Sequence, residues 1–187
     1  FQAASSTAGT QTVTITEISA ATGVPTTRAT VVLNWVASAS SAANAQYSTE
    51  YINAGTTLAS ASNDDTVAGV NCSRTAGTQC ANILVTIKDA NNIALNQASL
   101  TATITGPGIL GLATDGTTAT AAATGRAVAT SAAAQLTNNA GVISIWPDGT
   151  SGTATITISS GTVVLGTKTV NFYGTVATLT ATQNLKV

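Results

Sequence analysis

Histidine and methionine are absent from this chain, and only six of its 187 residues are Lys or Arg. Without histidine the chain lacks the commonest general base and metal ligand at neutral pH. No G-x-S-x-G run offers a nucleophile elbow either. The carboxylates are Glu17, Glu50, Asp64, Asp65, Asp89, Asp115 and Asp148. All five aspartates sit among turn residues, where Asp hydrogen-bonds nearby backbone, whereas a glycosidase needs two carboxylates facing each other across a cleft. These absences point away from an enzyme.

The six basic residues are scattered, and the net charge is −1. Nucleic acid binding needs clustered charge against phosphates, so no nucleic acid partner is expected. No apolar run reaches the length of a transmembrane segment. No basic segment followed by an apolar core and cleavage site opens the chain. Phe1 in place of an initiator Met reads as a processed mature chain or a piece of a longer one.

What is present is Thr (37 residues) and Ala (35), within a hydrophobic fraction of 44% and with only 7% charged residues. That apolar fraction is enough for a packed core, so low charge here does not mean disorder. Thr and Val favour strands because branching at Cβ suits a pleated, half-buried surface. Alternation marks strands at Thr12–Ile18, Arg28–Ala37, Ile83–Lys88, Ser99–Thr105, Val142–Trp146, Thr153–Ser159 and Thr162–Tyr173. Turn residues separate them: GVPTT, DANN, GPG, PDG and SG. Tyr47, Tyr51 and Ile52 suggest one more buried segment, and the Ala/Thr-rich stretch 113–140 reads as a weak strand or a long loop. No stretch shows a helical period.

This spacing predicts an all-β protein, an immunoglobulin-like antiparallel β-sandwich with two modules in tandem. The expected divisions are a less regular N-terminal β-module at 1–81, a sandwich at 82–174, and a further strand at 175–187. The expected core comprises Ile83, Val85, Ile87, Leu100, Ile104, Ile143, Ile145, Ile156, Ile158, Val170 and Phe172, with Trp146 covering one end beside Pro147.

The succession ILVTIKDANN (83–92), LTATITGPG (100–108), NNAGVISIW (138–146), DGTSGTATITI (148–158) and TKTVNFYG (167–174) resembles bacterial immunoglobulin-like repeats of the invasin and intimin type. The composition, and FYG followed by VATLTATQN, also resemble bacterial surface-layer or cell-wall proteins. The likeness covers about half the chain, carries no catalytic signature, and departs from the family in the insertion at 113–137. It implies an extracellular, repeat-built structural or adhesive role.

Cys72 and Cys80 enclose SRTAGTQ, which can turn back on itself. A disulfide between them is favoured, implying an oxidising, extracytoplasmic compartment. The alternatives are reduced thiols, or a metal site short of ligands. Calcium is the candidate cofactor, with Asp64, Asp65 and Asp89 as candidate ligands, against the plainer reading of solvated turns. A Lys88–Asn171 isopeptide bond is disfavoured because alternation turns both side chains outward. Asn71-Cys72-Ser73 is a poor glycosylation sequon, and O-linked glycans on Ser and Thr are the more plausible modification.

The expected function is that of a structural subunit or repeat of a surface layer or surface fibre. Its expected partners are identical or adjacent domains, reached by packing and strand pairing. The alternatives are an adhesin stalk or a phage or virion decoration domain. In the tail, Val176, Thr178, Leu179 and Thr180 are the candidate assembly residues, on a strand without a hairpin partner.

Overall fold

The computed structural model describes residues 9–35, 42–58, 63–69, 71–118 and 121–174. The chain divides into two compact units, Phe1–Ala39 and Ser40–Val187. Among the described residues no helix is long and apolar enough to cross a membrane.

The first unit is a hairpin of β1 (Gly9–Ile18) and β2 (Pro25–Trp35). Its strands are antiparallel, from Gly9 opposite Trp35 to Ile18 opposite Pro25, with a register shift between Ile15 and Thr16 that leaves Arg28 as the extra residue. Between the strands, Gly23 takes φ +68° and donates its N–H to the Ser19 carbonyl at 2.8 Å. That left-handed conformation is readily available to glycine.

The second unit is an antiparallel sandwich with nine strands among the described residues: β3 (Thr49–Ala54), β4 (Ala68–Gly69), β5 (Ala81–Thr86), β6 (Thr101–Thr105), β7 (Ile109–Ala113), β8 (Ala127–Ala129), β9 (Ala140–Trp146), β10 (Gly152–Ser160) and β11 (Val163–Phe172). One sheet has the order β3-β5-β9-β7 and the other β4-β11-β10-β6-β8. This is immunoglobulin-like: an A–B–E–D sheet faces a sheet containing C–F–G, here β6, β10 and β11. The short β4 runs parallel to β11. In one respect the order is its own, since β7 joins the first sheet before β8 returns to pair with β6.

Period-two alternation builds the core. Ile83 and Val85 from β5, Ile143 and Ile145 from β9, Ile104 from β6, Ile156 and Ile158 from β10, and Val170 and Phe172 from β11 all lie in one buried cluster with Ile87 and Leu100. A Cβ on Gly141 would come within 2.7 Å of Leu136 Cδ2 and 2.8 Å of Leu100 Cδ2, so these two leucines fill the space that glycine leaves on β9.

Two expectations are corrected. The boundary near residue 81 falls inside the sandwich: β3 pairs with β5 along its whole length, from Thr49 opposite Thr86 to Ala54 opposite Ala81. Alternation within residues 40–80 is weak because the edge strand β3 carries Glu50 at a core-facing position and β4 has only two residues. Trp146, in turn, caps no end of the sandwich. It is buried on the outer face of the β3-β5-β9-β7 sheet, where its Nε1 donates to the Ala121 carbonyl at 3.0 Å. The Ala/Thr-rich insertion, read as a weak strand or a long loop, holds the short β8 and folds over this face: Ala121 N–H donates to Ser144 Oγ at 3.0 Å, and Ser144 Oγ donates to Asn82 Oδ1 at 2.8 Å.

Candidate functional site: edges, carboxylates and the hairpin face

Each described aspartate accepts a backbone N–H. Asp64 Oδ1 accepts from Ile52 at 3.0 Å, and Asp65 Oδ2 from Ala54 at 2.9 Å. Asp89 Oδ1 accepts from Asn91 at 2.8 Å and Ile93 at 2.9 Å. Asp148 Oδ1 accepts from Thr150 at 2.9 Å. Asp115 Oδ1 accepts from Thr117 at 3.0 Å and Thr118 at 2.9 Å. The Thr118 hydroxyl, joined by these N–H groups, holds the Asp115 carboxyl down to about 2, because each of these bonds favours the ionised form.

The calcium candidates Asp64, Asp65 and Asp89 are thus each bonded to backbone. Asp64 and Asp65 occupy backbone donors of the edge strand β3, and Asp89 closes a turn. Among the described residues no group of three or more acidic or cysteine side chains converges as a cation site.

Glu50 and Lys168 were not singled out from sequence. Glu50 lies opposite Val85 on β3, and Lys168 opposite Ile156 on β11, so both take core-facing positions at the edges of their sheets. Glu50 packs against Gly166, where no side chain competes for the space. Lys168 leads its amino group outward to Asp64 Oδ2 at 2.8 Å and lies 6.0 Å from the Tyr51 ring centroid. Burial pushes the Glu50 carboxyl up, the charge of Lys168 opposes this, and Asp64 adds to it. At Asp64 burial also disfavours the charge, but hydrogen bonds from Lys168 and Ile52 and the Lys168 charge outweigh it and hold the group below its ordinary value. Inward-pointing charges of this kind discourage another strand from adding to an edge.

The other sandwich edges carry their own devices. On β7, Leu110 exchanges backbone bonds with Thr124 and Gly125. Strands β4 and β8 have two and three residues. Strand β11 also shifts register near Val164, a bulge that bends the edge.

Cys72 and Cys80 are joined by a disulfide. Beside it opens a cleft of about 630 Å³, lined in part by Asn71, Arg74, Asp148 and Tyr173. Its carboxylate, Asp148, is occupied by Thr150 and by Arg126 at 3.5 Å. Lys88 and Asn171 are not joined: Lys88 Nζ donates to Asn92 Oδ1 at 2.9 Å, and Asn171 Oδ1 accepts from the Thr153 hydroxyl at 2.8 Å. The tail residues Val176, Thr178, Leu179 and Thr180 lie outside the described residues.

The hairpin is built differently. Its register puts Val13, Ile15, Val31, Leu33 and Trp35 on one face and Thr10, Thr12, Thr14, Thr30, Val32 and Asn34 on the other. Trp35 Nε1 donates to Gln11 Oε1 at 3.3 Å, and Thr10 Oγ1 to Asn34 Oδ1 at 3.1 Å, each within one face. Glu17 pairs with Arg28 near the turn. On the apolar face Ile15 is 50% exposed and Val31 45%. Among the described residues the sheet has two strands, so each strand has one backbone edge without a described strand partner.

No protein-family model matches the sequence, and no curated protein is similar to it. Among solved structures, a glycosyl hydrolase family 2 member from Bacteroides cellulosilyticus DSM 14838 is similar at 12% identity, with a TM-score of 0.41, over 88% of this chain and 18% of its own. A second structure of such a member from Bacteroides cellulosilyticus gives 11% identity and a TM-score of 0.40, over 81% and 16%. A beta-glycosidase from Bacteroides vulgatus gives 16% and 0.37, over 79% and 19%. The chain thus spans less than a fifth of each of these proteins. Likeness at this level carries no activity across, and the sandwich is defined by its own strand order.

Proposed function

We propose that this chain is an extracellular structural domain, a subunit or repeat of a surface layer or surface fibre, which works by packing against copies of itself and not by catalysis. The observation that carries this reading is how the polar groups are spent. Every described aspartate is committed to backbone, while apolar side chains are exposed on the hairpin and its outer strand edges have no partner strand among the described residues. A catalytic site needs convergent uncommitted groups, whereas an assembling subunit needs exposed complementary surface. The Cys72–Cys80 disulfide supports an oxidising compartment. Exposed threonines on the outer sheet faces are acceptors for O-linked glycans.

The test is electron microscopy of the purified chain as its concentration is raised. Ordered sheets or fibres are expected. Particles that stay single and dispersed at every concentration favour the adhesin-stalk reading, in which the domain only spaces a distal tip, or the virion-decoration reading.

A further inference from the structure

We propose that the apolar face of the β1–β2 hairpin is the self-association site, and that its occupant is the same face of a second copy. The inference deepens the structural-subunit reading and rests on it.

An isolated two-stranded hairpin is marginal in water and needs a covered face or a third strand. This one is amphipathic, with Val13, Ile15, Val31, Leu33 and Trp35 aligned on one side. Of the eight large apolar side chains exposed among the described residues, five belong to the hairpin: Ile15 and Val31 on this face, Val32 on the other, and Ile18 and Val24 at the turn end. The other three, Tyr47, Val164 and Tyr173, lie on separate segments of the sandwich, so among its described residues no comparable group of exposed apolar side chains shares one strand pair. Its edges are blunted as well, by Asp64 and Asp65 on β3, by Thr124 and Gly125 on β7, and by the inward Lys168 on β11. Among the described residues, the complementary surface for one hairpin is another hairpin.

Charge agrees with this choice. Residues 9–35 contain one acid and one base, Glu17 and Arg28, paired with each other near the turn. The rest of the hairpin is uncharged, so two copies related by a twofold axis meet without like-charge repulsion. Size sets the strength. A strand of ten residues is ~33 Å long and a strand pair ~10 Å wide, so the face measures about 300 Å² per copy. A standard stable interface takes about 800 Å² per partner. A single contact is therefore weak, and being twofold it closes a pair, so a lattice or fibre also takes a second, different contact on each copy.

The test uses the full chain. Sedimentation equilibrium compares wild type with Ile15→Lys/Val31→Lys on the apolar face and Thr12→Lys/Thr30→Lys on the opposite face. The first variant is expected to weaken association about a hundredfold, because it places charge in an apolar contact, and the second by far less. Loss of hairpin folding could imitate the first result, so a cross-link provides an independent reading. Both native cysteines are bonded, which makes an introduced thiol the only free one. A short bis-maleimide should join Val31→Cys chains into dimers and leave Thr12→Cys chains monomeric. Equal cross-linking at both positions overturns the proposal. So does association that survives Ile15→Lys/Val31→Lys and disappears when residues 175–187 are deleted, which assigns the contact to the tail. A wild-type chain that stays monomeric up to about 1 mM sinks the structural-subunit reading itself.

Discussion

Lys168 Nζ lies 2.8 Å from Asp64 Oδ2 across 104 positions of sequence, and this ion pair ties the last strand of the sandwich to the segment that follows its first. Asp64 also accepts the Ile52 N–H, so one carboxylate occupies the β3 edge and anchors β11. With Asp64 about half exposed, the pair adds little stability, and its main effect is to fix how the two edges meet.

Glu50, beside that pair, gives the pH prediction. Burial raises its folded-state pKa above the ordinary 4.5. A carboxyl raised on folding favours the folded state when protonated. That contribution is complete well below the ordinary 4.5 and is lost as pH rises through the folded value. Glu50→Gln is therefore expected to raise the denaturation midpoint at pH 7 and to leave it unchanged at pH 3. Urea titrations at both pH values check this, and a lower midpoint at pH 7 would show that the attraction of Lys168 outweighs burial.

Ile156 is fully buried, opposite Lys168 on β11 and Ile104 on β6. Ile156→Ala should cost about 2–5 kcal/mol, the lost transfer energy plus the cavity it leaves. Thr155→Ala, on the opposite face of the same strand, should cost under about 0.5 kcal/mol. Equal losses at the two positions would contradict the register.

The Cys72–Cys80 bond closes a short loop, with a sequence separation of 8. Loop-closure entropy then limits its stabilisation to about 2–3 kcal/mol. Cys72→Ser/Cys80→Ser should lower the melting temperature while the sandwich still folds, as read by near-ultraviolet circular dichroism. A variant that fails to fold would give the bond a larger part than loop closure allows.

Much of the sandwich was legible in sequence because its central strands alternate strictly. Ile83, Val85, Ile143, Ile145, Ile156 and Ile158 could face only one way, and all are in the core. The turn role of Asp89, Asp115 and Asp148 was legible too, since these side chains bond backbone within four residues. The long-range partnerships were not. That Asp64 and Asp65 cap β3, and that β3 joins β5, depends on contacts which local pattern does not encode. Lys168 could have been found: it shares parity with Val170 and Phe172, so the alternation that placed those two inward placed the lysine inward as well. The polar contacts beneath residues 121–125 were hidden because an Ala/Thr-rich run has neither a clear period nor strong turn residues.

The central claim is that copies of this chain meet through an open hairpin while the sandwich remains a finished scaffold. Amide hydrogen exchange of the full chain at low and high protein concentration tests it most directly. The account predicts that protection of Thr10–Ile18 and Thr26–Trp35 rises with concentration, while β5, β9 and β10 are equally protected throughout. Hairpin protection that does not change with concentration, in a chain that nonetheless assembles, would contradict it.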